Sequence, residues 1–274
     1  MQVPRVRPGL RRVLAAVLLV ALGTLVAVLP AGASRAQELP VDLELVLLVD
    51  VSGSVDAQEA ELQRRGYADA LMSDQVVEAI RSGPLGRIAV TYVEWADDTY
   101  QVVVVGWTVL DGPESARAFA ERLTAAPVTT AFWTAIGSAL DFATRQFDGN
   151  GAEGTRRVID ISGDGYSNRG RPPAEARDAA VAAGITINGL PILNSRPNPW
   201  GGLPPLDLDS YYQTHVIGGP GAFILVAEDF PAFGEAILAK LVKEIAQAPG
   251  PAPGSRLAGG VPEAAGQNGA AAAR

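Results

Sequence analysis

The residues Asp50-Val51-Ser52-Gly53-Ser54 put one carboxylate and two hydroxyls at alternating positions of the 274-residue chain. In an extended turn such side chains can converge on one point, and Gly53 lets the backbone bend closely there. One carboxylate with two hydroxyls is a partial oxygen shell for a hard cation. Composition restricts the alternatives. With no cysteine and a single histidine, His215, the chain can build neither a thiolate site nor a multi-histidine site. Any metal centre must use oxygen ligands, which points to Mg²⁺ first, with Ca²⁺ and Mn²⁺ as further candidates.

That loop needs an element to aim it. Leu43–Val49, just before Asp50, is an almost unbroken apolar run, as expected of a central strand covered on both faces. Asp56–Leu71 reads as a helix, with Asp56 and Glu59 spaced as a capping box. Further strands are expected at Arg87–Trp95, Tyr100–Trp107, Arg157–Ile161, Ile185–Leu190 and Ala222–Ala227. The expected helices are Pro113–Leu123, Phe132–Phe147, Pro172–Ala183 and Phe230–Ala246. The polar turn Ala96-Asp97-Asp98-Thr99 joins its two strands as a hairpin. Strands alternating with helices imply an α/β fold: a three-layer, doubly wound, mainly parallel sheet with one antiparallel edge strand. Ligands of such sheets bind at the carboxyl ends of the strands, where Asp50 falls.

The loop and its setting resemble the metal-ion-dependent adhesion site of von Willebrand factor type A domains. In that family the DxSxS loop follows the first strand. A threonine comes from a second loop before a TxIGxAL helix, and an aspartate from a third loop after a later strand. Thr134-Ala135-Ile136-Gly137-Ser138-Ala139-Leu140 matches the second element, and Val158-Ile159-Asp160-Ile161-Ser162-Gly163-Asp164-Gly165 the third. The resemblance spans about Leu43 to Ala246 and looks like an exported bacterial subfamily with no assigned function. It implies a Rossmann-like fold in which Asp50, Ser52, Ser54, Thr134 and Asp164 hold a divalent cation, directly or through water. It also implies a protein ligand whose Asp or Glu carboxylate completes the shell. Two features depart from the family. Ala131-Phe132-Trp133 stand where members often have a glycine-rich turn, and Ser-Gly-Asp-Gly replaces the common Thr-Asp-Gly.

Other residues have two readings each. Asp160, inside an apolar strand, is either a group orienting the metal loop or a buried carboxylate satisfied by its neighbours. Glu94, Asp97 and Asp98 are either a second cation site or partner contact or, as the favoured reading, a solvated turn. The Pro- and Gly-rich stretch Asn194–Leu206 offers Arg196 and Trp200 as partner contacts or as loop packing. His215 would have to serve any Ser–His–Asp hydrolase, but the chain has no GxSxG elbow.

The N-terminus carries a basic stretch through Arg12, the apolar run Val13–Leu29 and small residues up to Ala36. That is the order of an export signal at 1–36, so the remainder is expected in the periplasm or outside the cell, without stable membrane insertion. Without the five arginines of residues 1–36 the formal charge falls from −8 to −13, which repels nucleic acid and anionic lipid. Residues 41–248 form the expected domain. The Ala/Gly/Pro-rich tail 249–274 has too few large apolar residues to fold. The expected function is cation-dependent binding of a protein ligand. A metal-assisted hydrolase and an assembly module with a vestigial metal site are the alternatives.

Overall fold

The computed structural model describes residues 38–194 and 202–247. The expected signal, the tail, Arg196 and Trp200 lie outside the described residues. In chain order the elements are β1 (Leu39–Val41), β2 (Leu43–Asp50), α1 (Ala57–Met72), α2 (Asp74–Arg81), β3 (Ile88–Trp95) and β4 (Gln101–Leu110). Then follow α3 (Pro113–Ala125), α4 (Ile136–Arg145), β5 (Ala152–Gly154), β6 (Arg157–Gly163) and α5 (Pro173–Ala182). The last are β7 (Ile185–Pro191), the short α6 (Leu208–Tyr211) running into a π-turn, and α7 (Phe233–Ala246).

The main sheet has the order β4-β3-β2-β6-β7, parallel throughout except for the β3–β4 pair at one edge. Every residue of β2 is buried, which explains its unbroken apolar run. Its side chains alternate between two cores. Leu43, Leu45, Leu47 and Val49 pack with Tyr67, Phe119, Phe233 and Leu241 from α1, α3 and α7. Val46 and Leu48 pack with Ile136 and Leu140 of α4 and with Tyr212. The result is the expected three-layer, doubly wound sheet with one antiparallel edge.

Chain order runs outward from β2 to β3 and β4, then crosses back to β6 and β7. The sheet therefore reverses direction between β2 and β6, where α/β sheets open a crevice at their carboxyl edge. In register, Val49 lies opposite Ser162, so Asp50 and Gly163 end the two strands side by side.

Three expectations needed correction. The helix expected over Phe132–Phe147 begins only at Ile136, because Phe132–Ala135 is tied into loops: Ala131 N–H donates to the Val51 carbonyl and Ala135 N–H to the Ala96 carbonyl. Ala222–Ala227 is no regular strand. It meets the edge of β7 and its continuation only through single bridges, Gly189 with Ile224 and Ile192 with Ala227. Glu94 is not in a solvated turn. It is buried and held by Arg64 through two contacts, Nε–Oε1 at 2.7 Å and Nη2–Oε2 at 2.9 Å. The helix α2 and the small β1–β5 sheet were not anticipated.

Candidate metal centre

Three loops at the β2/β6 crevice bring the site together. The first leaves β2. The Asp50 carbonyl accepts from Gln63 Nε2 at 3.0 Å, and the Val51 N–H donates to the Trp95 carbonyl, so the loop is fastened to α1 and β3. Asp50 turns back on its own loop, its Oδ1 accepting from the Ser52 N–H at 2.7 Å. The capping box of α1 forms as the spacing foretold: Glu59 N–H donates to Asp56, and Asp56 N–H donates to Glu59. This fixes where Ser54 ends and the helix begins.

The second loop carries Thr134, whose side chain precedes α4. It is locked to the third loop by a reciprocal pair. Thr134 N–H donates to Asn168 Oδ1 at 2.9 Å, and Asn168 N–H donates to the Thr134 carbonyl at 2.8 Å. Gly137 of the TxIGxAL element is needed for a related reason. A Cβ there would meet the Arg171 carbonyl at 2.0 Å, so only glycine lets the third loop lie across α4. Where the family often has glycine, Trp133 occupies the left-handed region at φ 65°. Such a conformation is costly for a bulky side chain and persists only when its surroundings enforce it. The Arg169 guanidinium lies over the Trp133 ring, 5.5 Å from its centre, and pairs with Asp98.

The third loop follows β6. Asp164 Oδ1 accepts from Ser54 Oγ at 2.5 Å, and Ser54 Oγ lies 3.2 Å from Ser52 Oγ. A Cβ on Gly165 would come within 3.9 Å of Thr134 Oγ1. Asp50, Ser52, Thr134 and Asp164 are all buried. Gly163 explains the Ser-Gly-Asp-Gly departure: a Cβ there would lie 2.8 Å from both Asp50 Oδ2 and Tyr212 Oη. The Tyr212 ring thus takes space that a larger residue at 163 would need. Tyr212 escaped the sequence reading because nothing in Tyr211–His215 marks one tyrosine as facing β2.

The electrostatics are those of an acid pair short of positive charge. Burial, reinforced by the charge of Asp164, pushes Asp50 up to about 8. Burial, with the charge of Glu59, raises Asp164 to about 6, while the Ser54 hydroxyl and the Asn194 side chain oppose the rise. Asp50 Oδ2 is buried without a hydrogen-bond partner. An orphaned carboxylate oxygen beside a second carboxylate and hydroxyls suits a hard divalent cation, so the residues present fit the group the fold implies. Among the described residues no three carboxylate or histidine side chains gather at one point; the candidate ligands are two carboxylates and three hydroxyls.

Ser54, Thr134 and Asp164 also line a cleft of about 570 Å³, whose rim carries Phe132 and Trp133, 62% and 53% exposed. Asp160 sits elsewhere. It projects into the opposite core, where Lys240 of α7 pairs with it. His215 packs on the Tyr211 ring, centroids 5.0 Å apart.

A family model described as a protein of unknown function (DUF1194) matches residues 40–249. No curated protein matches the sequence. Among solved structures, proximal thread matrix protein 1 of the mussel byssus is similar at TM-score 0.55 and 15% identity, covering 77% of this chain and 50% of that one. A second structure of that protein, with a zinc-occupied MIDAS motif, gives TM-score 0.53, 15% identity and the same coverage of 77% and 50%. The von Willebrand factor type A protein from Catenulispora acidiphila gives TM-score 0.51 and 16% identity, covering 75% of this chain and 43% of that one. The fold is that of a von Willebrand factor type A domain, and the chain spans about half the length of these relatives.

Proposed function

The chain belongs to the DUF1194 family, and we propose that it is a binding module, not an enzyme, that grips a protein ligand outside the cytoplasm through a divalent cation. One observation carries this reading: the unpartnered Asp50 Oδ2, buried behind a cleft that Ser54, Thr134 and Asp164 line. Asp50, Ser52, Ser54, Thr134 and Asp164 would hold the ion, Mg²⁺ first, then Ca²⁺ or Mn²⁺. Bound there, the ion supplies a Lewis-acidic attachment point for an oxygen of the partner. Two carboxylates balance a divalent charge and hydroxyls add none, so a partner's Asp or Glu carboxylate meets no surplus negative charge. Phe132 and Trp133 offer aromatic contact beside it, the side-chain class enriched at binding hot spots. The zinc-occupied MIDAS of the mussel protein supports the ion, and the basic-then-apolar N-terminus supports export. Among the described residues no helix is long and apolar enough to cross a membrane.

The test is a thermal melt in EDTA, Mg²⁺, Ca²⁺ and Mn²⁺, run on the native chain and on Asp50→Ala. A ligand that binds only the folded state raises its melting temperature. The expected result is a metal-dependent rise in the native chain that Asp50→Ala abolishes. No shift up to millimolar metal would sink the cation reading.

A further inference from the structure

A second polar cluster lies in the core between the sheet and α7, and the candidate metal site does not use it. Lys240 is wholly buried and contacts Asp160 of β6, also wholly buried. Its Nζ lies 2.6 Å from Oε1 of Glu244, one turn further along α7 and equally buried. Asn188 of β7 fixes Glu244 by donating from Nδ2 to the same Oε1 at 3.0 Å, while its own Oδ1 accepts from the Phe223 N–H at 2.9 Å. Around them are Ile237, Leu241, Phe233 and Tyr67. The Lys240 amine is in direct contact with Oδ1 of the Asp160 carboxyl group.

We propose that Lys240 and Asp160 condense to an isopeptide bond, with Glu244 as the proton carrier, tying α7 to the central sheet. Three groups meet here in the roles the reaction needs: an amine, a carboxyl carbon as electrophile, and a second carboxyl group 2.6 Å from the amine. Water, the competing nucleophile and the solvent that would hold the charges apart, is excluded from all three. Glu244 takes a proton from the Lys240 ammonium. The free amine attacks Cγ of protonated Asp160. A proton then passes through Glu244 from the nitrogen to the departing hydroxyl, which leaves as water. The Nζ–Cγ bond forms, the Cγ–O bond breaks, nothing is oxidised or reduced, and Glu244 ends protonated. Burial, aided by the nearby Glu244 charge, raises Asp160 to about 7, which favours the protonated acid that this step consumes. The driving force is the removal of charge from a water-free core, where ions are costly even when paired. Proximity supplies the rate, because the reacting groups are held together by the fold. The product closes a loop from residue 160 to residue 240 and anchors the last helix of the domain.

Peptide mapping of the full chain, purified in its folded state and then denatured and digested with trypsin, tests this directly. The expected product is a branched peptide joining Val158–Arg169 to the segment containing Lys240, uncut at Lys240 and lighter by one water than the two together. Glu244→Gln should leave most chains uncrosslinked, with folding checked by circular dichroism. Lys240→Met should remove the branched product entirely. Ordinary cleavage at Lys240 in folded native protein overturns the proposal. So does a single Asp178–Lys243 peptide lighter by ammonia and not joined to Val158–Arg169, which would mark Asn188 as the electrophile, or a branched peptide that persists in Lys240→Met.

Discussion

Two clusters of buried carboxylates sit on the neighbouring strands β2 and β6, and they solve the same problem in opposite ways. Asp50 and Asp164 stand at the carboxyl edge among hydroxyls, with no lysine or arginine among their hydrogen-bond partners in the described residues. Asp160 and Glu244 lie deeper, on the α7 side of the sheet, and share the ammonium of Lys240. Burial raises both Asp50 and Asp160. The difference lies in the source of the compensating charge. The inner cluster carries its own amine, which the proposed condensation joins to Asp160, and is a matter of structure. On the proposed reading the edge cluster is left for a cation from outside, at the place where a doubly wound sheet opens a crevice. A buried acid pair is thus informative about function only once its nearest cation has been found.

Removing the internal amine should break the comparison most severely. Lys240→Met removes the proposed bond and leaves both acids buried without their basic partner, so it should cost at least about 3–5 kcal/mol in denaturant unfolding, with no loss of metal response in whatever folds. A loss below the range for exposed ion pairs would show that the inner cluster is not held by this lysine.

Gly163→Ala disturbs only the edge. The new methyl meets Asp50 Oδ2 and Tyr212 Oη at 2.8 Å, so it should cost about 1–3 kcal/mol and weaken the metal-dependent rise in melting temperature. Adding Tyr212→Phe removes one of the two clashing atoms and should recover part of that loss. Equal stability of the single and double variants would refute the role given to Tyr212.

The edge cluster also carries a pH dependence. The folded Asp50 group holds its proton to about 8, whereas an ordinary aspartate loses it near 3.8. Between these values the folded state binds more protons than the unfolded state, so metal-free stability falls as pH rises from about 4 to 8. Asp50→Asn removes that slope and should be more stable than the native chain near pH 8 in EDTA, while abolishing the response to metal. Saturating Mg²⁺ should flatten the native curve as well, because the ion replaces the proton. A native curve in EDTA that rises with pH over this window would contradict the assignment.

Much of the candidate site was legible in the chain. Asp50, Ser52 and Ser54 are local in sequence, and their strand is marked by an apolar run whose cause is burial on both faces. Thr134 and Asp164 became visible through the resemblance to a known site, since spacing alone does not relate residues 30 to 114 positions apart. The helix start at Ile136 was misread because the apolar character of Phe132 and Trp133 continues the helical pattern, whereas loop hydrogen bonds set the backbone. Glu94 was misread as solvated because its partner Arg64 lies on another element.

By itself, the sequence determined the alternation of strands and helices, the oxygen-only character of any metal site and the loop that leaves β2. These follow from periodicity, composition and neighbours in the chain, all of them local properties. Tertiary structure alone decided that Asp50 keeps an oxygen without a partner, that Tyr212 fills the space beside Gly163, and that Asp160 faces Lys240 instead of the metal loop. Each depends on which side chains meet across layers, and burial sets the cost of leaving a charge there unpaired.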